Sequence, residues 1–326
     1  MIHDRWYAIL ESTEVRRGQA LGVRRLGHDL VVWRGEQGSV GCMEDRCPHR
    51  GAALSTGEVH DSHVACPFHG FQFDAEGRAR HVPAMGRGAE PPAHVRGVAW
   101  PLREAHGFLW AWYGEAREDL PPLPFFTDLA DPSWRWASAR DPWAVHYSRA
   151  VENQLDVVHL PFVHRTTIGR GHRTVVDGPG VKTEGDDLFL WVHNRTDDGA
   201  PARRAEEFSA TTGRPQLHFR HPGIWQNLIS DDIRVFISFT PVDDEHTVLY
   251  LRFYQRQLTW PLLGALYAWL GILMSRVIAA QDKRVVLTQR PVRSQLRMDE
   301  KLIPQDRPLV EFRRRQEELA RPDSPR

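Results

Sequence analysis

The chain has 326 residues, with 42 basic and 42 acidic side chains and no net charge. That balance excludes a global field that would recruit nucleic acid or an anionic membrane. Apolar residues make up 41% and charged residues 26%, the mix of an ordinary soluble globular protein long enough for two domains with sizeable cores.

The three cysteines, Cys42, Cys47 and Cys66, are too few for a disulfide scaffold. The start, Met1-Ile2-His3-Asp4-Arg5, carries no signal-peptide pattern, so a reducing cytoplasm is the expected compartment. Seventeen histidines beside so few cysteines fit metal chemistry better than disulfide stapling, and twelve Trp and fourteen Phe hint at aromatic-lined cores or pockets.

Residues 1 to 115 read as an all-β domain. Trp6–Leu10, Leu30–Trp33 and Phe108–Tyr113 are strand-like, with glycine-rich turns between them and no helical period. Two loops stand out, Cys47-Pro48-His49-Arg50-Gly51 and Cys66-Pro67-Phe68-His69-Gly70, with sixteen residues between His49 and Cys66. Each supplies one thiol and one imidazole. A zinc site is the metal alternative, but zinc modules usually pair like ligands along the chain. Mixed loops suit a [2Fe–2S] cluster with both thiolates on one iron and both imidazoles on the other, at a potential of roughly −150 to +300 mV. The prolines stiffen the loops and the glycines permit tight turns. This pair of loops resembles the Rieske family. Cys42 fits neither loop and reads as a buried free thiol.

Glu118–Pro124 is proline-rich, and the domain boundary is expected near residue 116, with a second domain over 116–326. Trp134–Ser138 reads as a strand. From Ser148 the pattern turns helical, with Ser148 as the expected N-cap and Glu152 near the positive end of the helix dipole. Asn153, Asp156 and His159 form a drifting polar stripe among Leu155, Val157, Val158 and Leu160. A solvated face is the plain reading, but a buried polar stripe must be paired or metal-bound. His159 and His164 are about 140° apart on an ideal helix, so a shared metal requires distortion; Pro161 predicts a kink or helix end near Leu160 to Phe162. Two His and a carboxylate form the facial triad of non-haem Fe(II) oxygenases. Asp156 is the nearest carboxylate and Asp282 a distant candidate.

The motif Glu152-Asn153-x-x-Asp156-x-x-His159-x4-His164, in a chain with Rieske loops, resembles the terminal oxygenase of the Rieske non-haem iron oxygenases over nearly the whole chain. The resemblance implies that Cys47, His49, Cys66 and His69 bind the cluster and that His159, His164 and Asp282 bind Fe(II). It implies catalytic roles for Asp156 and Asn153, with Asp156 bridging His69 of a neighbouring subunit to an iron histidine in a ring-shaped homotrimer. The short Asn153-to-Asp156 spacing looks like the monooxygenase and demethylase branch. The implied fold is α+β, an all-β Rieske domain followed by a helix-grip domain of antiparallel sheet and long helix.

Leu188–His193, Leu217–Phe219, Val235–Phe239 and Val248–Tyr254 read as strands of that sheet. Leu155, Phe162 and Val163 are expected beside the ligands, with Phe236 and Phe239 as candidate pocket walls or ordinary core. Residues 196–215 read as a polar loop, a lid or a plain surface connection. Leu258 to Ser275 is uncharged and reaches the lower edge of spanning length; Pro261, Gly264 and Gly271 favour a buried or partly interfacial helix with peripheral membrane contact left open. The tail from Arg313 is charged and expected to fray.

No G-x-G-x-x-G fingerprint in a βαβ setting appears, so electrons are expected from a separate NAD(P)H-dependent reductase, a ferredoxin, or both. Three readings follow. The first is an O2-dependent oxygenase that hydroxylates or oxidatively demethylates an apolar or aromatic small molecule. The second is an electron carrier, which would need neither His159 nor His164. The third is a desaturase or oxidative cyclase without oxygen insertion.

Overall fold

The computed structural model describes residues 1–321, which form two compact units, His3–Leu123 and the chain from Pro124 onward with Met1 and Ile2. The division falls between Leu123 and Pro124, at the end of the proline-rich segment, rather than near residue 116. The reason is local: the Pro121 carbonyl accepts the Trp6 indole N–H at 2.9 Å and the Arg103 guanidinium at 3.3 Å, which ties the segment to the N-terminal unit.

The N-terminal unit is all β. Strands β1 (Arg5–Glu11), β2 (Gln19–Arg25), β3 (His28–Arg34), β4 (Val40–Glu44), β5 (Glu58–His60), β6 (His63–Ala65), β7 (Gln72–Phe73), β8 (Ala79–His81), β9 (Leu102–Ala105) and β10 (Phe108–Tyr113) make three small antiparallel sheets. Their orders are β1-β10-β9, β2-β3-β4 and β5-β6-β7-β8. The alternating apolar residues Val31, Trp33, Met43, Val64 and Phe73 close over Cys47 and Cys66 as one core. Cys42 is buried too, and burial pushes its thiol well above the ordinary range.

The C-terminal unit is a seven-stranded antiparallel sheet with helices. In chain order it runs β11 (Arg135–Trp143), α1 (Tyr147–Leu155), α2 (Leu160–Val163), β12 (Val175–Glu184), β13 (Asp187–Arg195), β14 (Leu217–Arg220), β15 (Ile224–Asn227), β16 (Ile233–Pro241), β17 (Thr247–Gln255), α3 (Pro261–Val286) and α4 (Arg307–Ala320). The sheet order is β11-β17-β16-β15-β14-β13-β12, so the fold is the expected α+β class.

Helix α3 lies close to the sheet because its inward face is small. A Cβ on Gly271 would meet the Phe253 ring at 2.3 Å, and one on Gly264 would meet the Leu258 carbonyl at 2.4 Å. Ala268, Ile272, Ser275 and Ala279 continue that buried face down to Asp282. The outward face is apolar yet exposed, with Leu262 86% and Leu263 53% accessible. By length and composition α3 could cross a membrane, but one side of it is sheet-packed core.

Three local expectations change. Helix α1 begins one residue before Ser148, capped by His146, whose Nδ1 accepts the Ser148 amide at 3.3 Å. Glu152 is not a free dipole partner: it is buried and paired with Arg149 at 3.2 Å and Arg313 at 2.5 Å. The segment from Arg313, expected to fray, is instead the second half of α4 as far as Ala320, because Arg313 and Phe312 are buried. The rest of that tail, 322–326, lies outside the described residues.

Candidate active site

The two Cys–His loops fold as near copies. The Cys47 carbonyl accepts from Gly51 N–H at 2.8 Å and the Cys66 carbonyl from Gly70 N–H at 2.9 Å. Cys47 N–H donates to the Ala52 carbonyl and Cys66 N–H to the Phe71 carbonyl, both at 2.8 Å. Closing these turns needs positive φ, +77° at Gly51 and +71° at Gly70, which glycine adopts without steric cost. Both thiols are buried, unbridged and in side-chain contact. Burial, then the neighbouring Cys66, pushes the Cys47 thiol up to about 11, so a positive centre is needed to hold it as thiolate. The imidazoles of His49 and His69 stand outside at the exposed tip, ring centroids 4.8 Å apart. Two thiols inside and two imidazoles outside is a donor set that fits a [2Fe–2S] cluster of mixed ligation.

In the C-terminal unit the chain leaves helix α1 at Asp156, earlier than expected. Asp156 is extended (φ −69°, ψ 120°), and its Oδ1 accepts the amides of Val158 at 2.7 Å and His159 at 3.2 Å. That side-chain turn competes with the helix and stops it. Pro161 then sits in the first turn of α2, where a missing N–H costs nothing, so the break is caused by Asp156 and not by Pro161.

The break lets the two rings converge. His159 Nε2 and His164 Nε2 are 3.2 Å apart, and Asp282 Oδ1 lies 3.5 Å and 2.9 Å from them. Each Nδ1 faces an acceptor: the Asp156 main-chain carbonyl at 3.0 Å for His159, and Gln281 Oε1 at 2.8 Å for His164. Thr167 Oγ1 also donates to Gln281 Oε1, at 2.9 Å, which fixes that oxygen as the acceptor. With both protons on Nδ1, both Nε2 lone pairs aim at one point. Asp282 Oδ1 is buried and faces the two Nε2 atoms. These three side chains could hold one metal ion. Burial opposes a charge on His164, but hydrogen bonds to Asp282 and Gln281 outweigh it and raise its pKa.

Asp156 stands beside His159. Its carboxylate is 3.8 Å from His159 Nδ1, and the direct contact to the ring is through its main-chain carbonyl. Burial would raise its pKa, but the His159 and Val158 hydrogen bonds hold it below the usual carboxylate range. Asn153 does not line the cavity beside His159, His164 and Asp282, whereas Gln154 does and reaches Asp282 Oδ2 at 3.4 Å.

That cavity has a volume of about 430 Å³ and lies between the sheet and α3. Its sheet wall is Leu217, Trp225, Asn227, Val235, Ile237 and Leu251; Ser275, Ile278 and Ala279 of α3 face them. Phe236 and Phe239, the candidate walls, are not among the lining residues. Phe236 lies on the opposite sheet face against Phe125 and Phe126, since alternate strand residues point to opposite sides. Leu155 belongs to the core and Phe162 is exposed; Val157, Leu160 and Ile168 take the places expected for Leu155, Phe162 and Val163. Gln281 and Thr167 were not singled out from sequence, although Gln281 directly precedes Asp282.

Residues 5–99 match the Rieske [2Fe-2S] domain family, and residues 143–322 match the vanillate O-demethylase oxygenase C-terminal domain. The chain belongs to the Rieske terminal oxygenases. This family carries a Rieske cluster and a mononuclear iron. A vanillate O-demethylase oxygenase subunit of Pseudomonas sp. (strain ATCC 19151) is 34% identical over 49% of this chain and 47% of its own. The 3-chlorobenzoate-3,4-dioxygenase oxygenase subunit of Comamonas testosteroni is 30% identical over 77% of this chain and 58% of its own. The protein TIC 55, chloroplastic, of Arabidopsis thaliana is 27% identical over 69% of this chain and 40% of its own. The chain thus spans less than two thirds of the length of these relatives. In fold, the Rieske oxygenase resembles NdmA of Pseudomonas putida CBB5 (TM-score 0.75, 21% identity, 97% of this chain and 89% of that). It also resembles dicamba monooxygenase bound to dicamba (TM-score 0.74, 20% identity, 98% of each chain).

Proposed function

We propose that this Rieske oxygenase uses O2 and externally supplied electrons to hydroxylate, or oxidatively demethylate, an apolar or aromatic small molecule. The observation that carries the reading is the convergence of His159 Nε2, His164 Nε2 and Asp282 Oδ1 at one end of an apolar cavity. His159, His164 and Asp282 would hold Fe(II); Cys47, His49, Cys66 and His69 would hold the cluster. The iron supplies the binding and reductive activation of O2 when bound.

The chain's own residues do the rest. Gln281 and the Asp156 carbonyl hold the imidazole protons on Nδ1 and leave Nε2 free. The apolar wall orients the substrate and keeps bulk water away from the ligand atoms. Asp156 keeps part of its side chain exposed, 31%, beside His159, where His69 of a neighbouring copy could meet it in a homotrimer. Asn153 is a positioning candidate rather than a group that touches substrate. A separate reductase or ferredoxin would deliver two electrons per turnover. The exposed outer face of α3 leaves peripheral membrane contact as a further reading, tested by vesicle cosedimentation.

The test is turnover with a surrogate reductase under ¹⁸O2. Labelled alcohol, or formaldehyde released from a methoxy substrate, supports the proposal. An unsaturated or cyclised product without label would instead favour desaturation or cyclisation. Reduction of the cluster with no substrate oxidised across a broad panel would leave the electron carrier.

A further inference from the structure

The oxygenase reading leaves open what charge the substrate bears, and the cavity wall speaks to it. Strands β15, β16 and β17 turn one side of their residues to the cavity: Trp225 and Asn227, Val235 and Ile237, and Leu251. The cations of the same strands have the opposite parity. Arg234 lies 5.3 Å over the Trp134 ring, and Arg252 lies 4.0 Å over Trp136 and donates to the Tyr254 hydroxyl at 3.2 Å. A one-residue shift in register would have put a guanidinium into the cavity. Among the described residues no Lys or Arg lines it.

The polar groups that do line it are neutral apart from the metal-site residues and Asp156. The carboxamides of Gln154, Gln216 and Asn227 are present, and the Ser275 hydroxyl is already donated to the Gly271 carbonyl at 3.0 Å. Two carboxylates, Asp156 and Asp282, lie at the ligand end, so a divalent ion there would be offset by them. A carboxylate or sulfonate entering this cavity would lose water and gain no cation.

We infer that the cavity selects uncharged, largely apolar ring compounds over anions of the same shape. The inference rests on reading this cavity as the substrate site. Neutral acceptors or donors on the ring are met by carboxamides, and a negatively charged substituent is rejected by desolvation without a counter-ion.

The test uses the full chain loaded with Fe(II) and kept anaerobic, with binding followed by calorimetry. Two scaffolds of different length are compared, each as a matched set: 4-methoxybenzamide, 4-methoxybenzoate and 4-methoxybenzylammonium, and the corresponding 6-methoxynaphthalene compounds. On at least one scaffold the neutral amide should bind about tenfold or more tightly than the carboxylate. Ile229→Lys, at an exposed position lining the cavity, should shift the ratio toward the carboxylate on that scaffold. A preference for the amide over the carboxylate below about tenfold on both scaffolds, or no binding by any amide, overturns the inference. Binding requires neither reductase nor O2. A protein that follows this order yet yields no labelled product would sink the oxygenase reading and leave the selectivity standing.

Discussion

Gln281 accepts the Nδ1 proton of His164 and is itself aligned by Thr167, so its oxygen sets which nitrogen of a candidate metal ligand is free. Replacing it by Leu removes the acceptor and should weaken iron retention about 10- to 100-fold. Competition with a graded chelator measures this, and Gln281→Glu should restore much of it. Similar retention in the Leu variant would mean that packing alone holds the ring. His146 gives a second test. Its Nδ1 caps α1 only while unprotonated, and burial, then the charge of Arg293, pushes its pKa down to about 4. In the unfolded chain it titrates near ~6.5. As pH falls below that value the unfolded state takes up a proton that the folded state refuses, so stability declines from pH 6.5 toward 4 and this contribution then levels off. His146→Asn keeps a capping acceptor and should lose less stability over that window in urea unfolding. Identical pH slopes for the two proteins would remove His146 as the cause.

Helix α3 connects packing to the site, because one face holds Gly264, Ala268, Ile272, Ser275 and Ala279 and ends on Asp282. A larger residue at Gly271 must displace the Phe253 ring or lift the helix. Gly271→Val should therefore cost about 1–3 kcal/mol in unfolding free energy. It should also lower iron content, since Asp282 rides on the same helix. A variant with normal melting and full iron would show that α3 has room to move. The pairing of Arg149, Glu152, Glu300 and Arg313 ties α1 to α4 and the segment before it. The sequence placed Glu152 correctly on a helix, but the partner Arg313 is 161 positions away, and no local pattern indicates such a contact.

At the scale of the whole chain, the two metal sites should load independently enough to be counted. Purified protein is expected to hold three irons per chain with two acid-labile sulfides, by metal analysis and sulfide assay. His159→Ala should leave two irons, the sulfide and the cluster spectrum while abolishing turnover. Zinc in place of iron, or a two-iron chain that still turns over, would sink the two-site reading. The cluster loops were legible because their ligands, prolines and glycines are contiguous in sequence and the turn chemistry is local. The candidate Fe(II) ligands are legible as a motif, but the cause of their convergence is not: Pro161 is the local signal for a break, and the structure assigns it elsewhere. The break comes from the Asp156 carboxylate accepting backbone amides, a competition that depends on where that side chain turns.

The α+β class, the candidate donor residues of both metal sites and most strands of the seven-stranded sheet are legible along the chain, because periodicity and ligand spacing are local properties. Tertiary structure decided the rest. It selected Val235 and Ile237 rather than Phe236 as cavity wall, since strand parity becomes an inside and an outside only when a helix covers one face, and it put Phe239, which shares their parity, in the core with Ile237. It turned the charged stretch after Arg313 into a packed helix by supplying Glu152 and Glu300 as buried partners. It also brought Gln281 and Thr167 to His164, and it left the cavity without a cation by placing Arg234 and Arg252 on the far face of the sheet. Each outcome depends on which distant groups meet in space, and spacing along the chain carries no such information.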